Sequence, residues 1–200
     1  LQFTPDVLPT AVTGFTILNK ETHKFEYKQG AALTYLFLAD EINRTSSKTQ
    51  SALLEVMEEG KVTVDGITHK MPDPYIVIAT QNPVGSIGTQ MLPESQMDRF
   101  IVRLTMGYPS LESEVAMLKS KQNLVPVDNV RPVVSAEDII QARKVVENIY
   151  VSDQVFQYIA MLANATRNNE YIKLGLSPRG TIALLRMTKA TALLKGRDYV

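Results

Sequence analysis

The chain has 200 residues, of which 44% are apolar and 21% are charged, as in an ordinary globular protein. Its 21 basic and 21 acidic residues cancel, so no overall charge favours nucleic acid or an anionic membrane surface as a partner. The absence of cysteine excludes disulfides and thiolate metal sites, and two isolated histidines, His23 and His69, argue against zinc. No apolar run approaches the roughly 18 residues of a membrane span. We therefore expect a cytoplasmic protein.

Three short apolar runs predict buried strands. They are YLFLA at 35–39, YIVIAT at 75–80 and FIVRLTM at 100–106. The first two are continuous rather than alternating, which is typical of parallel strands that are covered on both faces. The first half of the chain therefore predicts an α/β fold built on a parallel sheet.

A helix and two hairpins are predicted around these strands. The helix lies between the first two strands, with serines at 46–47 as candidate caps and Gly60 at its end. After it, two alternating segments flank Asp65-Gly66, the strongest short hairpin signal in the sequence. Residues 15–30 also alternate around a polar centre and predict the other hairpin.

Beyond residues 107–111 the apolar pattern becomes helical. Three of the predicted helices follow a serine that can cap them, and these serines are Ser135, Ser152 and Ser177. We therefore expect two domains, an α/β core at 1–108 and an all-helical domain at 109–200.

Two adjacent carboxylates, Asp40 and Glu41, follow directly after the first predicted strand. In an open α/β sheet, ligands bind beyond the carboxyl ends of the strands. A carboxylate there can hold Mg²⁺, directly or through water, while its neighbour activates the water that attacks a phosphate. A solvated strand end explains the pair equally well, so the pair alone does not decide between the two.

Three further side chains are candidates for the same chemistry. Asn82 follows the second strand, where an amide can hold the attacking water, although a turn before Pro83 is the alternative. Arg99 precedes the third predicted strand and can stabilise charge on a phosphate or make a surface salt bridge. Arg179 begins a helix, where the helix dipole disfavours a cation unless an anion lies near. An acid on its own helix would also satisfy Arg179.

These motifs together resemble the MoxR branch of the AAA+ ATPases. The matching segments are LFLADEINRTSSKTQSALLEVMEEGKVTVDG, YIVIATQNP and LPESQMDRF, with LQFTPDVLPTAVTGF before them and GLSPRGTIALLRMTKATALLKGRDYV after them. The resemblance covers essentially the whole chain. It implies a truncated AAA+ core with a parallel sheet and β-hairpin inserts, followed by a small all-helical lid domain.

The resemblance implies a role for each candidate residue. Asp40 and Glu41 correspond to the Walker B pair, for Mg²⁺ binding and for water activation. Asn82 corresponds to the first sensor and Arg179 to the second sensor on the lid. Arg99 corresponds to the arginine finger, which serves the nucleotide of a neighbouring subunit.

One motif of the family is missing from the sequence. The family has a Gly-rich loop, GxxxxGK[ST], whose backbone N–H groups and lysine bind phosphates. The two glycine–lysine stretches here, EEGKVT and LLKGRD, lack its leading glycine. We therefore expect a fragment of a longer protein, and we expect the fragment alone to be inactive.

The resemblance also implies cofactors and partners. The complete protein is expected to use ATP and Mg²⁺, to form a ring that is a hexamer, and to remodel client proteins during assembly or cofactor insertion. A von Willebrand factor A-domain protein is one expected partner, and nucleic acid is not expected. Two alternatives stay open: an AAA+ motor subunit of a chelatase or restriction complex, and a non-catalytic protein-interaction domain.

Overall fold

The computed structural model describes residues 1–82, 91–122 and 130–200, apart from the side chains of 120–122. Within these ranges the chain is a mixed α/β protein with a helical C-terminal region. The elements, in chain order, are α1 Pro9–Thr13, β1 Gly14–Asn19, β2 Lys24–Gln29, β3 Leu36–Ala39, a 3-10 helix Ile42–Arg44, α2 Ser47–Glu59, β4 Lys61–Val64, β5 Ile67–Lys70, β6 Ile76–Ala79, α3 Glu94–Met97, α4 Leu111–Gln122, α5 Ala136–Glu147, α6 Asp153–Arg167 and α7 Pro178–Leu194.

The strands β3 and β6 form a parallel pair, which confirms the first two predicted strands and their direction. Their register sets Leu36 beside Ile76 and Ala39 beside Ala79. Both strands therefore end at the same edge, and the residues that follow each strand emerge side by side.

Only one face of this pair is covered by the described residues. Phe37 and Ala39 are buried, whereas Leu36 and Leu38 on the other face are 56% and 50% exposed. The prediction that both faces are covered is wrong for this part of the chain. A continuous apolar sequence predicts that both faces of a strand avoid water. The core residues of the described helices, however, pack against one face only.

The third predicted strand, at 100–106, is not a strand. Leu104 and Met106 in this segment are 84% and 94% exposed. A strand is held by hydrogen bonds to a neighbouring strand, and none of the described strands pairs with this segment. Apolar sequence predicts burial, but it does not supply the pairing partner.

The helix and both hairpins form as the local sequence predicts. Ser46 caps α2 by accepting a hydrogen bond from the backbone N–H of Thr49, and Gly60 ends the helix in the left-handed conformation. The β4–β5 hairpin turns at Asp65 and Gly66, which both have positive φ angles, 49° and 80°. Such a two-residue turn matches the twist of the strands it joins.

One apolar cluster forms the core of the α/β part. It combines side chains from the parallel strands, α1, α2 and β4 with residues between elements. Its buried members are Phe3, Val12, Ala32, Phe37, Ala39, Ile42, Leu53, Leu54, Val56, Val62 and Leu92.

The helical part contains α5, α6 and α7, and α7 contacts the other two. Ser135, Ser152 and Ser177 cap these helices as predicted, and at Ser135 the partner Asp138 completes a capping box. Arg143 of α5 reaches the α/β part, where it makes an ion pair of 3.0 Å with Asp73. No helix in the described ranges is both long and apolar enough to span a bilayer.

Candidate functional site

Thr80, the residue after β6, holds both acids that follow β3. Its hydroxyl donates to Asp40 Oδ1 at 2.6 Å and accepts a hydrogen bond from the backbone N–H of Glu41 at 2.8 Å. Its backbone N–H donates to the carbonyl of Ala39 at 2.9 Å, which extends the ladder between the strands. One residue next to the neighbouring strand thus fixes the carboxylate of Asp40 and the backbone of Glu41. No role for Thr80 is predicted from the sequence, although its position directly before Gln81 and Asn82 is a signal.

The backbone of Glu41 has an unusual conformation. Its φ of 52° and ψ of 48° are left-handed, and the 3-10 helix begins at the next residue. This conformation costs a residue other than glycine about 1–2 kcal/mol. It is held by hydrogen bonds from Ile42 N–H to the Thr80 carbonyl at 3.0 Å and from Arg44 N–H to the Glu41 carbonyl at 2.9 Å. Such conformations persist where surrounding structure imposes them, and they are frequent at functional sites.

The Glu41 carboxylate is bound on both oxygens. Arg44 Nη1 donates to Oε2 at 2.7 Å, and Asn82 Nδ2 donates to Oε1 at 3.2 Å. The hydrogen bond from Arg44, and then that from Asn82, lowers the pKa of Glu41 below its usual range. The carboxylate is therefore ionised at neutral pH, and its side chain remains 21% exposed to solvent.

A buried asparagine fixes the backbone of Asn82. Asn43 has no exposed surface, and its Nδ2 donates to the Asn82 carbonyl at 3.0 Å. Its Oδ1 accepts from the Asn82 N–H at 3.1 Å. These two bonds tie the residue after β6 to the 3-10 helix after β3. The sequence does not predict this role of Asn43, because asparagine is mostly exposed in proteins.

The acids at this edge fit a magnesium ion that is bound together with phosphate. Among the described residues, no group of three or more acidic or histidine side chains could hold a metal by itself. Asp40 and Glu41 provide two adjacent carboxylates, and Mg²⁺ commonly takes one or two carboxylates, several waters and phosphate oxygens. The donor set therefore suits Mg²⁺ that is delivered with a nucleotide.

The two predicted arginines meet at one carboxylate, Glu58. Arg99 donates through Nη1 to Glu58 Oε2, and Arg179 donates through Nη2 to Glu58 Oε1. Glu58 lies in the last turn of α2, Arg99 follows α3, and Arg179 lies in the first turn of α7. The anion that the position of Arg179 requires thus comes from another element. Glu58 is not predicted as a site residue, because nothing in the local sequence distinguishes it from the neighbouring glutamates.

The predicted site residues therefore form two clusters. Asp40, Glu41 and Asn82 gather at the ends of β3 and β6, close to the 3-10 helix that precedes α2. Arg99 and Arg179 gather at the other end of α2. This helix has 13 residues and is about 20 Å long.

The parallel strands with polar ends, the inserted hairpins and the helical region are features of a nucleotide-hydrolysing class. Residues 1–102 match the ATPase family associated with various cellular activities (AAA), and residues 164–200 match the AAA lid domain. The chain belongs to the AAA family of ATPases.

Known relatives identify the branch of this family. The uncharacterized protein YeaC of Bacillus subtilis is 50% identical over 200 residues, which cover 100% of this chain and 62% of that protein. Chaperone MoxR1 of Mycobacterium tuberculosis is 36% identical over 209 residues, which cover 100% of this chain and 55% of that protein. A solved structure from Cytophaga hutchinsonii, described as a "putative ATPase", has a TM-score of 0.89 and 39% identity, and the match covers 100% of this chain and 63% of that one. The chain is thus a MoxR-type AAA+ protein, and it spans a little over half the length of these relatives.

Proposed function

We propose that the complete protein hydrolyses ATP and uses the energy to remodel partner proteins. The observation that supports hydrolysis most strongly is the contact between Asn82 and Glu41 at the shared edge of β3 and β6. It places a candidate water-activating carboxylate beside an amide, next to a second carboxylate for Mg²⁺. The remodelling role follows the name of the M. tuberculosis relative, which is a chaperone.

The contacts of the three residues support a role for each. Asp40, oriented by Thr80, would bind Mg²⁺ directly or through water. Mg²⁺·ATP, when bound, supplies the phosphoryl group that is transferred to water. Glu41, kept ionised by Arg44, accepts a hydrogen bond from the attacking water and orients it. Asn82 fixes the Glu41 carboxylate and offers an amide to the same water.

The two arginines support a ring of subunits. Their cluster lies at the opposite end of α2 from the acids, so we propose that Arg99 serves the nucleotide of a neighbouring subunit. Arg179 would act as the second sensor from a helical lid domain at 109–200, beside a core at 1–108. We propose a hexamer in the cytoplasm whose clients include a von Willebrand factor A-domain protein. These partners follow from the family resemblance.

The chain of 200 residues should bind Mg²⁺·ATP weakly by itself. Its sequence has no GxxxxGK[ST] segment to bind the phosphates with backbone N–H groups and a lysine. Calorimetric titration of this chain with Mg²⁺·ATP should show no binding at micromolar concentrations. Micromolar affinity would contradict the assignment of phosphate binding to a loop outside these residues.

ATP turnover by the complete protein tests the proposed function. Asp40→Asn should remove Mg²⁺ binding, and Arg99→Ala should lower kcat roughly a thousandfold, as for other arginine fingers. Glu55→Gln is the control, because Glu55 is an exposed acid of α2 between the two clusters. Rates at the wild-type level in both Asp40→Asn and Arg99→Ala would contradict the proposed function.

A further inference from the structure

Three segments meet where the α/β part contacts the helical part. The last turn of α2 provides Glu58, the segment after α3 provides Asp98 and Arg99, and the start of α7 provides Ser177 and Arg179. The Ser177 hydroxyl donates to the Asp98 carboxylate, at 2.7 Å and 2.8 Å from its two oxygens. Next to this bond, Glu58 accepts hydrogen bonds from both arginines. The junction is thus held by two polar connections that involve neighbouring residues.

The arginines are close together because Glu58 lies between them. Two guanidinium groups repel each other, and a shared carboxylate offsets that repulsion. Each guanidinium has five N–H donors, and Glu58 receives one Nη from each of Arg99 and Arg179. Donors on both arginines therefore remain for a second anion, and the two side chains are 33% and 45% exposed.

The adjoining cavity has an excess of positive charge. Its volume is about 460 Å³, which is within the usual range for a ligand site. Its charged lining consists of three arginines, the third being Arg186, and two acids, Glu58 and Asp98. The net positive charge of this lining suits an anionic ligand of moderate size.

We propose that Glu58 is a positioning residue that holds Arg99 and Arg179 as one binding unit for a phosphate group. The proposal rests on the proposed function, in which these two arginines act on a nucleotide, and it adds the residue that aligns them. Glu58 itself touches the guanidinium groups and not the phosphate.

The alternative is that Glu58 competes with the phosphate for the arginines. The two roles predict opposite changes in phosphate affinity when the charge of Glu58 is removed. If Glu58 positions the arginines, Glu58→Gln lets them separate and weakens phosphate binding. If Glu58 competes, the same change frees the donors and strengthens binding.

The test is a titration of the 200-residue chain with inorganic phosphate. NMR measures the arginine Nε–H signals at each phosphate concentration. In the wild type, the signals of Arg99 and Arg179 should shift with one common midpoint in the millimolar range. In Glu58→Gln the apparent affinity should fall roughly tenfold, which is within the range of coupling between members of one salt-bridge network. The two midpoints should then differ, and Glu58→Asp, which keeps the charge, should recover part of the affinity.

Glu59→Gln is the matched control. Glu59 is the next residue of α2, and its ion pair is with Lys61 at 3.3 Å. The control removes the same charge from the same helical turn, so its phosphate affinity should equal that of the wild type. Backbone amide spectra of the β1–β2 hairpin confirm that each variant is folded.

Three results would overturn the proposal. They are equal or tighter phosphate binding in Glu58→Gln, an equal loss in Glu59→Gln, and no shift of either arginine in the wild type. None of these readouts depends on ATP hydrolysis. The positioning role can therefore fail while the hydrolysis site at Asp40 and Glu41 stands, and the reverse also holds.

Discussion

Glu41 has both a strained backbone conformation and a carboxyl group whose pKa is lowered. Its left-handed backbone begins the 3-10 helix, and its carboxylate accepts hydrogen bonds from Arg44 and Asn82. These contacts lower its pKa, with Arg44 as the largest cause. The folded-state pKa lies below that of the unfolded chain, so the ionised group stabilises the fold above the ordinary carboxyl range. This contribution is lost as pH falls through the lower folded pKa.

Arg44→Gln should therefore raise the pKa of Glu41 toward its ordinary value. The substitution removes both the charge and the strongest hydrogen bond to the carboxylate. The measurement is a titration of the Glu41 carboxyl carbon by ¹³C NMR. Arg143→Gln is the control, because Arg143 pairs with Asp73 instead. An unchanged Glu41 pKa in Arg44→Gln would show that Arg44 does not set it.

Tyr75 gives a second prediction for a single residue. Burial raises the pKa of its hydroxyl to about 12, and among the described residues this buried oxygen has no hydrogen-bond partner. An unsatisfied buried hydroxyl costs about 1–3 kcal/mol. Tyr75→Phe should therefore increase the free energy of unfolding by about 1 kcal/mol, measured by urea denaturation. Tyr158→Phe, at a residue that is 61% exposed, should leave stability nearly unchanged. A clear loss of stability in Tyr75→Phe would mean that the hydroxyl is bound.

At the scale of elements, α2 determines how the two clusters are spaced. Ser46 caps its start just after the 3-10 helix that follows the acids, and Glu58 in its last turn binds the arginines. Its buried residues Leu53, Leu54 and Val56 lie in the core cluster, which fixes the helix against the parallel strands. The helix itself is about 20 Å long.

Ser46→Ala should destabilise the protein by about 1 kcal/mol, because it removes the side-chain cap of α2. Urea denaturation followed by circular dichroism measures the change. Ser47→Ala is a close control, since Ser47 is the first residue of the helix and does not cap it. Equal stability of Ser46→Ala and the wild type would show that the cap does not stabilise the helix.

The elements that local sequence determines are the ones that could be predicted. Serine caps, the Asp65-Gly66 turn and the polar ends of β3 and β6 depend on residues that are neighbours in the chain. The segment at 100–106 was wrongly predicted, because a strand requires a partner that its own residues do not determine. The role of Glu58 was missed for a related reason, since its partners Arg99 and Arg179 are 41 and 121 residues away.

At the scale of the molecule, the α/β part and the helical part are joined through charged and polar contacts. Arg143 binds Asp73, Ser177 binds Asp98, and Arg179 binds Glu58. Exposed ion pairs such as those of Arg143 and Arg179 are individually weak and respond to salt and to ligands. The junction is therefore suited to change if phosphate binds to the arginines, as the proposed remodelling function requires.

The central proposal is that Glu41 activates the water that attacks ATP and does not hold the nucleotide itself. The most direct measurement is the ratio of ATP to ADP bound to the complete protein, after incubation with Mg²⁺·ATP and rapid removal of free nucleotide. Glu41→Gln should retain mainly ATP, while the wild type and the control Glu55→Gln should retain mainly ADP. If Glu41→Gln also retains mainly ADP, Glu41 does not activate the attacking water and the account of this site is wrong.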